Sequence, residues 1–343
     1  MFSLSFRTRR HTYKINSLSE QLYQKTTHFL LELIQNADDN SYRSGVSPTL
    51  SISLDGDYLR VDCNEIGFQP DQIEAICTIA WSTKKRSSDS TYYVGEKGIG
   101  FKSVFKAADV VWICSGYYQF KFDRNAILGM IAPVWEKFPE DPIPGHTSFL
   151  LKLSSKCNRK ELAQEIQSLQ PTLLIFLRKL RTLKLKIGTG NPSGLQNWEN
   201  TLSRADGTER GFSVTSLKEK ENVSRYILCK KKISGLPKEE KRPGVSQSEL
   251  VLAFPVTQNY EPKPSPQSVY SFLPVRNYGF EVSFQIQWSW HPESDPNPVS
   301  RASGFSSYCE PGGPQRIFRL ESINYFQVTT GSHRCLQELR HGY

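Results

Sequence analysis

The chain has 343 residues, of which 38% are hydrophobic, 22% charged and 12% aromatic, and its formal net charge is +9. These values indicate a folded protein of about two domains rather than a disordered chain, and a modest positive charge does not by itself indicate a nucleic-acid-binding protein. The sequence contains no apolar run near the roughly 18 residues of a membrane span, no apolar core of a secretory signal and no C-x-x-C pair, so we expect an intracellular protein, cytoplasmic or nuclear.

The first predicted elements are a helix, a hairpin and a short second helix. A capping-box pattern at Ser17 and Glu20 precedes apolar residues at helical spacing, which predicts a helix over about Leu18–Asp39. The alternating segments TLSISL and YLRVDC flank Asp-Gly-Asp, which predicts a β-hairpin. In QPDQIEAICTIA, Pro70 stands near the start of a predicted helix, where its missing N–H is tolerated.

The rest of the chain divides into strand-like, helical and polar segments. The Ser-rich WSTKKRSSDSTYY predicts a loop, VVWICS, YYQFKF, TSFLLKL and LKLKI predict strands, and residues 159–180 predict a helix broken near Pro171. GTGNPSGLQNWENTLSRADGTERG predicts a polar linker, and SVTSL, RYILCKK, ELVLAFPV and VYSFLPVRNYGF predict strands. We therefore expect a first domain at 1–190, a partial β-rich second domain at 191–285, and an irregular or disordered extension at 286–343, which is rich in Pro, Ser and Gly.

The first helix carries a row of polar side chains. In ELIQNADDN, Glu32 and Asn36 lie four residues apart on one face, and Asp39 follows on nearly the same face. Oxygen ligands of this kind suit Mg²⁺, which proteins hold through one or two side chains together with phosphate oxygens and waters, and a nearby carboxylate can orient a water. For this helix alone, an ordinary solvated face is the simpler interpretation.

A glycine cluster follows the Ser-rich loop, in YYVGEKGIGFKSVF. Gly95, Gly98 and Gly100 can let the backbone approach a ligand and direct N–H groups at an anion. Lys97 and Lys102 could neutralise phosphate charge there, although lysines in such a loop are as often simply solvated. The spacing G-x-x-G-x-G alone is also typical of a flexible turn, so this motif needs support from other parts of the chain.

Taken in order, ELIQNADDN, CNEIGF, STK and GEKGIGFKS resemble the ATP-site motifs of the GHKL (histidine kinase-like) ATPase superfamily. The sequences of these motifs are most similar to those of the sacsin and NO VEIN-like branch. The resemblance covers about Ser17 to Ile187 and extends weakly to Phe280. It implies an α+β fold, a two-layer α/β sandwich of the GHKL (Bergerat) ATP-binding type, followed by the partial β-rich domain, with ATP and Mg²⁺ as cofactors.

The resemblance also implies residue roles. Glu32 matches the general base for the attacking water, Asn36 the Mg²⁺ ligand, and Asp39 a position lining the nucleotide pocket. Thr147 matches a threonine that faces the adenine, although an ordinary strand threonine is an equal alternative. The other matched positions lie on the adenine side, at the edge of a mobile lid and in the phosphate loop: Cys63, Asn64 and Gly67; Ser82, Thr83 and Lys84; and Gly95, Lys97, Gly98, Ile99, Gly100 and Phe101.

One position departs from the pattern. Many relatives place an aspartate where this chain has Cys63, and a thiol is a weak hydrogen-bond acceptor. Asp62 or Asn64 could replace it if the strand carries a one-residue bulge, because a shift of one residue turns a side chain to the other face.

The resemblance implies a slow Mg²⁺-dependent ATPase of chaperone-like or sacsin-like type, in which nucleotide closes a lid over the site. The alternative is a nucleotide-binding regulatory or interaction module that does not hydrolyse ATP. A histidine kinase is disfavoured because little sequence precedes the first helix. Arg301 and Arg276 are the candidates for a γ-phosphate arginine. We expect ATP and a protein partner or client, but neither a membrane nor a nucleic acid.

Overall fold

A computed structural model describes the protein over residues 28–77, 101–188, 190, 197–234, 247–263, 267–271, 273–280, 283–286, 306–309, 316–320 and 323–328. The chain divides into two compact units. The first unit comprises Lys25–Gly207 and Thr215–Ser224, and the second contains Thr208–Val214 and the chain from Arg225 onward.

The helices in the described ranges are short. They are α1 (Phe29–Asp39), α2 (Pro70–Ile76) and α3 (Arg159–Ser168), together with the 3-10 segments η1 (Phe101–Lys106) and η2 (Pro171–Phe176). Helix α1 buries Phe29, Leu30, Leu33, Ile34 and Ala37, the apolar stripe predicted from the sequence. None of the helices in the described ranges is long and apolar enough to cross a membrane.

The first unit is mostly a mixed sheet in the order β9-β8-β7-β1-β2-β6-β3-β4-β5, of which Thr208–Glu209 of β8 and Phe212–Val214 of β9 are assigned to the second unit. Strand β1 pairs parallel with β7 and antiparallel with β2, and the pairs β2–β6, β3–β6, β3–β4, β4–β5 and β7–β8 are antiparallel. The strands are β1 (Thr49–Asp55), β2 (Tyr58–Cys63), β3 (Ala108–Ser115), β4 (Tyr118–Asp123), β5 (Val134–Trp135), β6 (Thr147–Leu153), β7 (Thr182–Ile187), β8 (Trp198–Glu209) and β9 (Phe212–Glu219).

One face of this sheet, here called the inner face, forms the core of the first unit. Residues directly opposite each other on neighbouring strands share a face, and the registers place Ile52, Val61, Phe149 and Ile113 in one such row. Three of the four are at most 1% exposed, and Phe149 is partly buried. The apolar alternation of the sequence therefore selects which face is buried.

The fold predicted from the motifs, a two-layer α/β sandwich of the GHKL (Bergerat) type, is wrong. The protein is mostly a large mixed β-sheet with few helices. The α-helices have 11, 7 and 10 residues, whereas the strands after Ile187 include β8 with 12 residues. In the described residues beyond the predicted first domain, the regular elements are therefore strands rather than additional helices.

Part of this error lies in the segment predicted to be a polar linker. Residues 198–209 form β8, which pairs antiparallel with β7. Along this strand only Asn200 and Leu202 are buried, and its second half is largely exposed. Because few of its residues face the core, the strand lacks the apolar alternation by which strands are recognised.

Most other elements are confirmed. The predicted hairpin is β1–β2, with Gly56 in its turn at φ +55°, and the helix beginning at Pro70 is α2. The helical segment after Arg159 ends as an α-helix at Ser168 and continues as a 3-10 segment from Pro171. Proline cannot donate the N–H that a continuous helix would need there.

The second unit contains strands β10 (Asn222–Ser234), β11 (Gln247–Val256), β12 (Gln267–Ser271), β13 (Leu273–Phe280) and β14 (Ser283–Ile286), adjacent in the order β13-β12-β14-β11-β10. A separate three-stranded antiparallel sheet consists of β15 (Ser306–Cys309), β16 (Arg316–Leu320) and β17 (Ile323–Val328). These last strands lie within the segment expected to be irregular. The three domain boundaries stay a prediction.

Candidate functional site

Helix α1 presents Glu32 and Asn36 as partly buried side chains near its middle. The Glu32 side chain is 25% exposed, and its Oε1 atom lies 3.8 Å from His28 Nδ1. Burial, and secondarily the charge of Lys106, lowers the pKa of His28, so this ring is neutral at pH 7. The contact between Glu32 and His28 is therefore not an ion pair between two charged groups.

The two carboxylates at the end of α1 contact the chain near Arg178. Asp38 is fully buried and accepts backbone N–H bonds from Arg178 at 2.9 Å, Lys179 at 2.8 Å and Leu180 at 2.9 Å. Asp39 is hydrogen-bonded by the Arg178 guanidinium. These bonds place Asp39 in an ion pair that attaches α1 to residues 178–180, and its predicted place in a nucleotide pocket stays a prediction.

Three small polar side chains lie in one row at the end of the inner face, here called the hydroxyl–thiol row: Cys63, Thr147 and Ser115. They are directly opposite one another on β2, β6 and β3. Thr147 and Ser115 are fully buried, and their hydroxyl oxygens lie 2.6 Å apart. The row thus places neutral hydrogen-bonding groups where the apolar core ends.

The turn after β2 contacts this row. Ser115 Oγ accepts the backbone N–H of Phe68 at 2.8 Å. The preceding residue, Gly67, has φ +94°, a conformation that other residues adopt only with strain. A Cβ atom added to Gly67 would lie 3.4 Å from Ser115 Oγ. The glycine of CNEIGF is therefore required by backbone conformation, and it lets the turn approach the row closely.

Cys63 connects the row to α1. The Tyr42 hydroxyl donates to the Ala37 carbonyl at 2.6 Å and lies 3.2 Å from Cys63 Sγ. Burial raises the pKa of Cys63 to about 12 and raises the pKa of Tyr42 as well. Both groups are therefore neutral at physiological pH, and the row carries no charge.

Neither neighbour of Cys63 takes its place. The pairing of β2 with β6 is regular, with no bulge, so Asp62 lies on the opposite face of the sheet. There it accepts hydrogen bonds from Ser148 at 2.6 Å and from Arg60 at 3.0 Å. Asn64 accepts the Thr49 N–H at 2.7 Å and donates to the Ser47 carbonyl at 2.9 Å. The bulge that would exchange these positions is absent.

The end of the glycine motif packs beside this region. Phe101 contacts Phe105, Phe122 and Phe149 with ring centroids 5.8–6.4 Å apart. The Lys102 ammonium donates to two backbone carbonyls, those of Ile76 and Met130. The Lys102 ammonium is therefore bonded to the protein backbone and does not point into solvent.

Several predicted site residues lie outside the described residues: Ser82, Thr83, Lys84, Gly95, Lys97, Gly98, Ile99, Gly100 and Arg301. Arg276 lies in β13, whose backbone is described. Within the described ranges, no three His, Cys, Asp or Glu side chains are grouped as a metal centre.

Sequence reasoning missed two members of the site, Ser115 and Tyr42. Ser115 is the last residue of an apolar strand and directly precedes Gly116, which has φ +58°. A polar residue at such a strand end indicates a position near the edge of the core, but not which strands flank it. Tyr42 follows α1 by three residues, and only the folded chain brings it to Cys63.

Comparison with known proteins relates the chain to a plant protein. No family model matches the chain. The chain is similar to Protein NO VEIN of Arabidopsis thaliana, with 30% identity over 297 residues, which is 79% of this chain and 10% of that protein. The chain thus spans about a tenth of the length of the relative that it matches. This similarity supports a NO VEIN-like relation, and it does not extend to the wider ATPase superfamily.

Proposed function

We propose that the chain binds ATP together with Mg²⁺ at the end of the inner face and hydrolyses it slowly. One continuous series of contacts supports this site. It runs by hydrogen bonds from the Ala37 carbonyl through Tyr42 to Cys63, by strand pairing from Cys63 to Thr147, and by hydrogen bonds from Thr147 through Ser115 to the backbone of Phe68, beside Gly67. The series joins ELIQNADDN to CNEIGF, two motifs that are far apart in sequence and would have to act together.

The α1 side of this site is assigned to the phosphates. The Asn36 amide oxygen would be a protein ligand of Mg²⁺, and phosphate oxygens and waters would complete the coordination. Magnesium bound in this way needs no cluster of three ionisable side chains. Glu32, one helical turn earlier, would orient and deprotonate the water that attacks the γ-phosphate. The choice of ATP rests on the resemblance of the motifs to those of GHKL ATPases.

The hydroxyl–thiol row is assigned to the base. Its hydroxyls can each donate and accept, whereas the protonated thiol of Cys63 is a weak donor and weak acceptor. A carboxylate in the position of Cys63 would accept a strong hydrogen bond from the exocyclic amino group of adenine. We therefore expect this site to distinguish ATP from GTP less sharply than a site that has an aspartate there.

The cellular setting is part of the same proposal. Five cysteines of the described residues are free, which agrees with a reducing compartment, so we place the protein in the cytoplasm or nucleus. The coupling of nucleotide to a protein partner or client follows from the chaperone-like resemblance.

The test measures ATP binding by calorimetry and phosphate release with Mg²⁺. The variants are Glu32→Gln and Asn36→Ala, and the matched control is Glu161→Gln on α3. We expect Glu32→Gln to bind ATP but lose turnover, Asn36→Ala to lose the Mg²⁺-dependent part of binding, and the control to resemble the wild type. These results would assign both residues to the roles proposed for them.

Other outcomes separate the alternatives. ATP binding without phosphate release in the wild type would replace the ATPase with a non-hydrolysing nucleotide-binding module. Binding that Asn36→Ala leaves unchanged would reject this location for the metal. If the wild type binds no ATP, the proposed function is rejected.

A further inference from the structure

Lys102 joins three segments of the first unit through one ammonium group. Its Nζ atom donates to the carbonyl of Ile76, the last residue of α2, at 2.6 Å. It also donates to the carbonyl of Met130, in the turn region between β4 and β5. Lys102 itself lies in the first turn of η1. The end of α2 and the start of η1 are thereby bonded directly, although Ile76 and Lys102 lie 26 residues apart in sequence.

The surroundings of the ammonium favour a fixed position. Nζ lies 4.4 Å from the centroid of the Phe122 ring and 5.7 Å from that of Phe101, within the range of cation–π attraction. The Ile76 carbonyl is at the C-terminal end of α2, where the helix dipole favours a positive charge. Burial lowers the pKa of Lys102 to about 8, and a Cys77 thiolate would oppose that decrease. At pH 7 the group is still protonated and can donate to both carbonyls.

A chain of aromatic contacts leads from this anchor to the proposed nucleotide site. The Phe101 ring centroid lies 5.8 Å from that of Phe149 on β6, and Phe149 lies 6.2 Å from Phe68. Phe68 directly follows Gly67 and donates its backbone N–H to Ser115. A shift of η1 would therefore be transmitted through packed rings to the turn that contacts the hydroxyl–thiol row.

We propose that Lys102 is a positioning residue for nucleotide binding: by bonding the end of α2 to the start of η1, it holds the Phe101–Phe149–Phe68 contacts and the Gly67 turn in their binding arrangement. This inference rests on the proposed function. Lys102 acts through the carbonyls and rings around it and contacts no phosphate. A purely architectural lysine would contribute to stability but leave the affinity of the folded protein for ATP unchanged.

The experiment compares Lys102→Met, Lys102→Gln and Lys102→Arg with Lys160→Met, an exposed lysine on α3 that serves as the matched control. Hydrogen exchange is measured without nucleotide at the amides of Cys77, Ala107 and Ile131, which are hydrogen-bonded in the segments that Lys102 joins. ATP affinity is then measured on the folded fraction of each variant. Lys102→Gln keeps a shorter donor and is used if Lys102→Met does not fold.

We expect Lys102→Met to exchange faster at these amides and to bind ATP about tenfold more weakly, as for the loss of one charge-assisted hydrogen bond. Lys102→Arg should restore most of both properties, and Lys160→Met should change neither. Unchanged exchange in Lys102→Met would overturn the inference, and so would faster exchange with unchanged ATP affinity. A wild type that binds no ATP would instead reject the proposed function, so the two failures are distinguishable.

Discussion

The ends of β2, β6 and β3 carry polar residues on both faces of the sheet, and the two groups differ in charge and in hydrogen bonding. On the inner face, Cys63, Thr147 and Ser115 form the neutral hydroxyl–thiol row. On the opposite face, Asp62 accepts hydrogen bonds from both Ser148 and Arg60; these three residues are here called the outer cluster.

The polar groups of the outer cluster already have hydrogen-bond and ion-pair partners, within the cluster and in neighbouring residues. Arg60 also donates to Glu140 at 2.7 Å and to the Asp141 carbonyl at 3.1 Å, and its guanidinium lies 5.8 Å from the Phe138 ring. It thus fastens residues 138–141 to the sheet. The hydroxyl–thiol row has short, neutral groups next to a glycine turn. Polar residues one position apart in sequence thus divide into a structural group, the outer cluster, and a group proposed to bind ligand, the hydroxyl–thiol row.

The largest expected effect is on the outer cluster. Asp62→Ala should lower the free energy of unfolding by about 3 kcal/mol, because it leaves the buried Ser148 without its acceptor and removes one of the acceptors of the partly buried Arg60. ATP affinity should not change. Denaturant unfolding and calorimetry would measure the two quantities.

Asp57→Ala is the matched control for this change. Its carboxylate is 63% exposed and pairs with Arg159 at 2.8 Å, so we expect a cost below about 1 kcal/mol. A loss of ATP affinity in Asp62→Ala would remove the division between the two faces.

The next largest expected effect concerns Thr147 and Ser148, neighbours on β6 whose side chains lie on opposite faces of the sheet. Thr147→Val removes the hydroxyl bonded to Ser115 and should weaken ATP binding about tenfold, with a stability loss of about 1–2 kcal/mol. Ser148→Ala removes a hydroxyl bonded to Asp62 and should cost similar stability without changing ATP affinity. Equal ATP affinities in the two variants would contradict the assignment of the row to the base.

Gly67 tests the contact between the turn and the row. Gly67→Ala should cost about 1–2 kcal/mol, because its φ of +94° is strained for alanine, and it should also weaken ATP binding. Gly45→Ala is the control, because Gly45 has φ +78° and a Cβ there would meet nothing within 4 Å. Gly45→Ala should lose stability through backbone strain but keep the ATP affinity of the wild type. Thermal unfolding and ATP titration of both variants would decide this.

The smallest effect at neutral pH comes from Cys63. Its folded pKa of about 12 lies above the reference value of 9.0, so between these values the unfolded chain loses a proton that the folded chain keeps. Stability should therefore fall as the pH rises above 9, and Cys63→Ser should reduce that slope. Unfolding measured from pH 7 to pH 10.5 would show the difference. Identical slopes in the two proteins would mean that Cys63 is not buried as a neutral thiol.

The predictable part of the fold consists of elements with strong local patterns. The apolar stripe of α1, the Asp-Gly turn of the first hairpin and the proline at the start of α2 each depend on residues within a few positions of one another. Strand β8 was missed because only two of its residues face the core. The extent of the sheet was missed for a related reason, since strand pairing is a non-local property and motif resemblance favoured a helix-rich layer.

For the candidate site, the resemblance of short motifs selected Glu32, Asn36, Gly67 and Thr147, whose roles stay predictions, and it showed that Cys63 departs from the usual aspartate. Local sequence could not establish that the Asp62 side chain faces away from the hydroxyl–thiol row. The face on which a side chain lies depends on strand register, and here register is set by pairing with β6. Local sequence could not find the Tyr42–Cys63 contact, the Ser115–Thr147 pair or the bond from Lys102 to Ile76 either. Those contacts join residues 21 to 32 positions apart, and packing of the folded chain alone brings such residues within hydrogen-bonding distance.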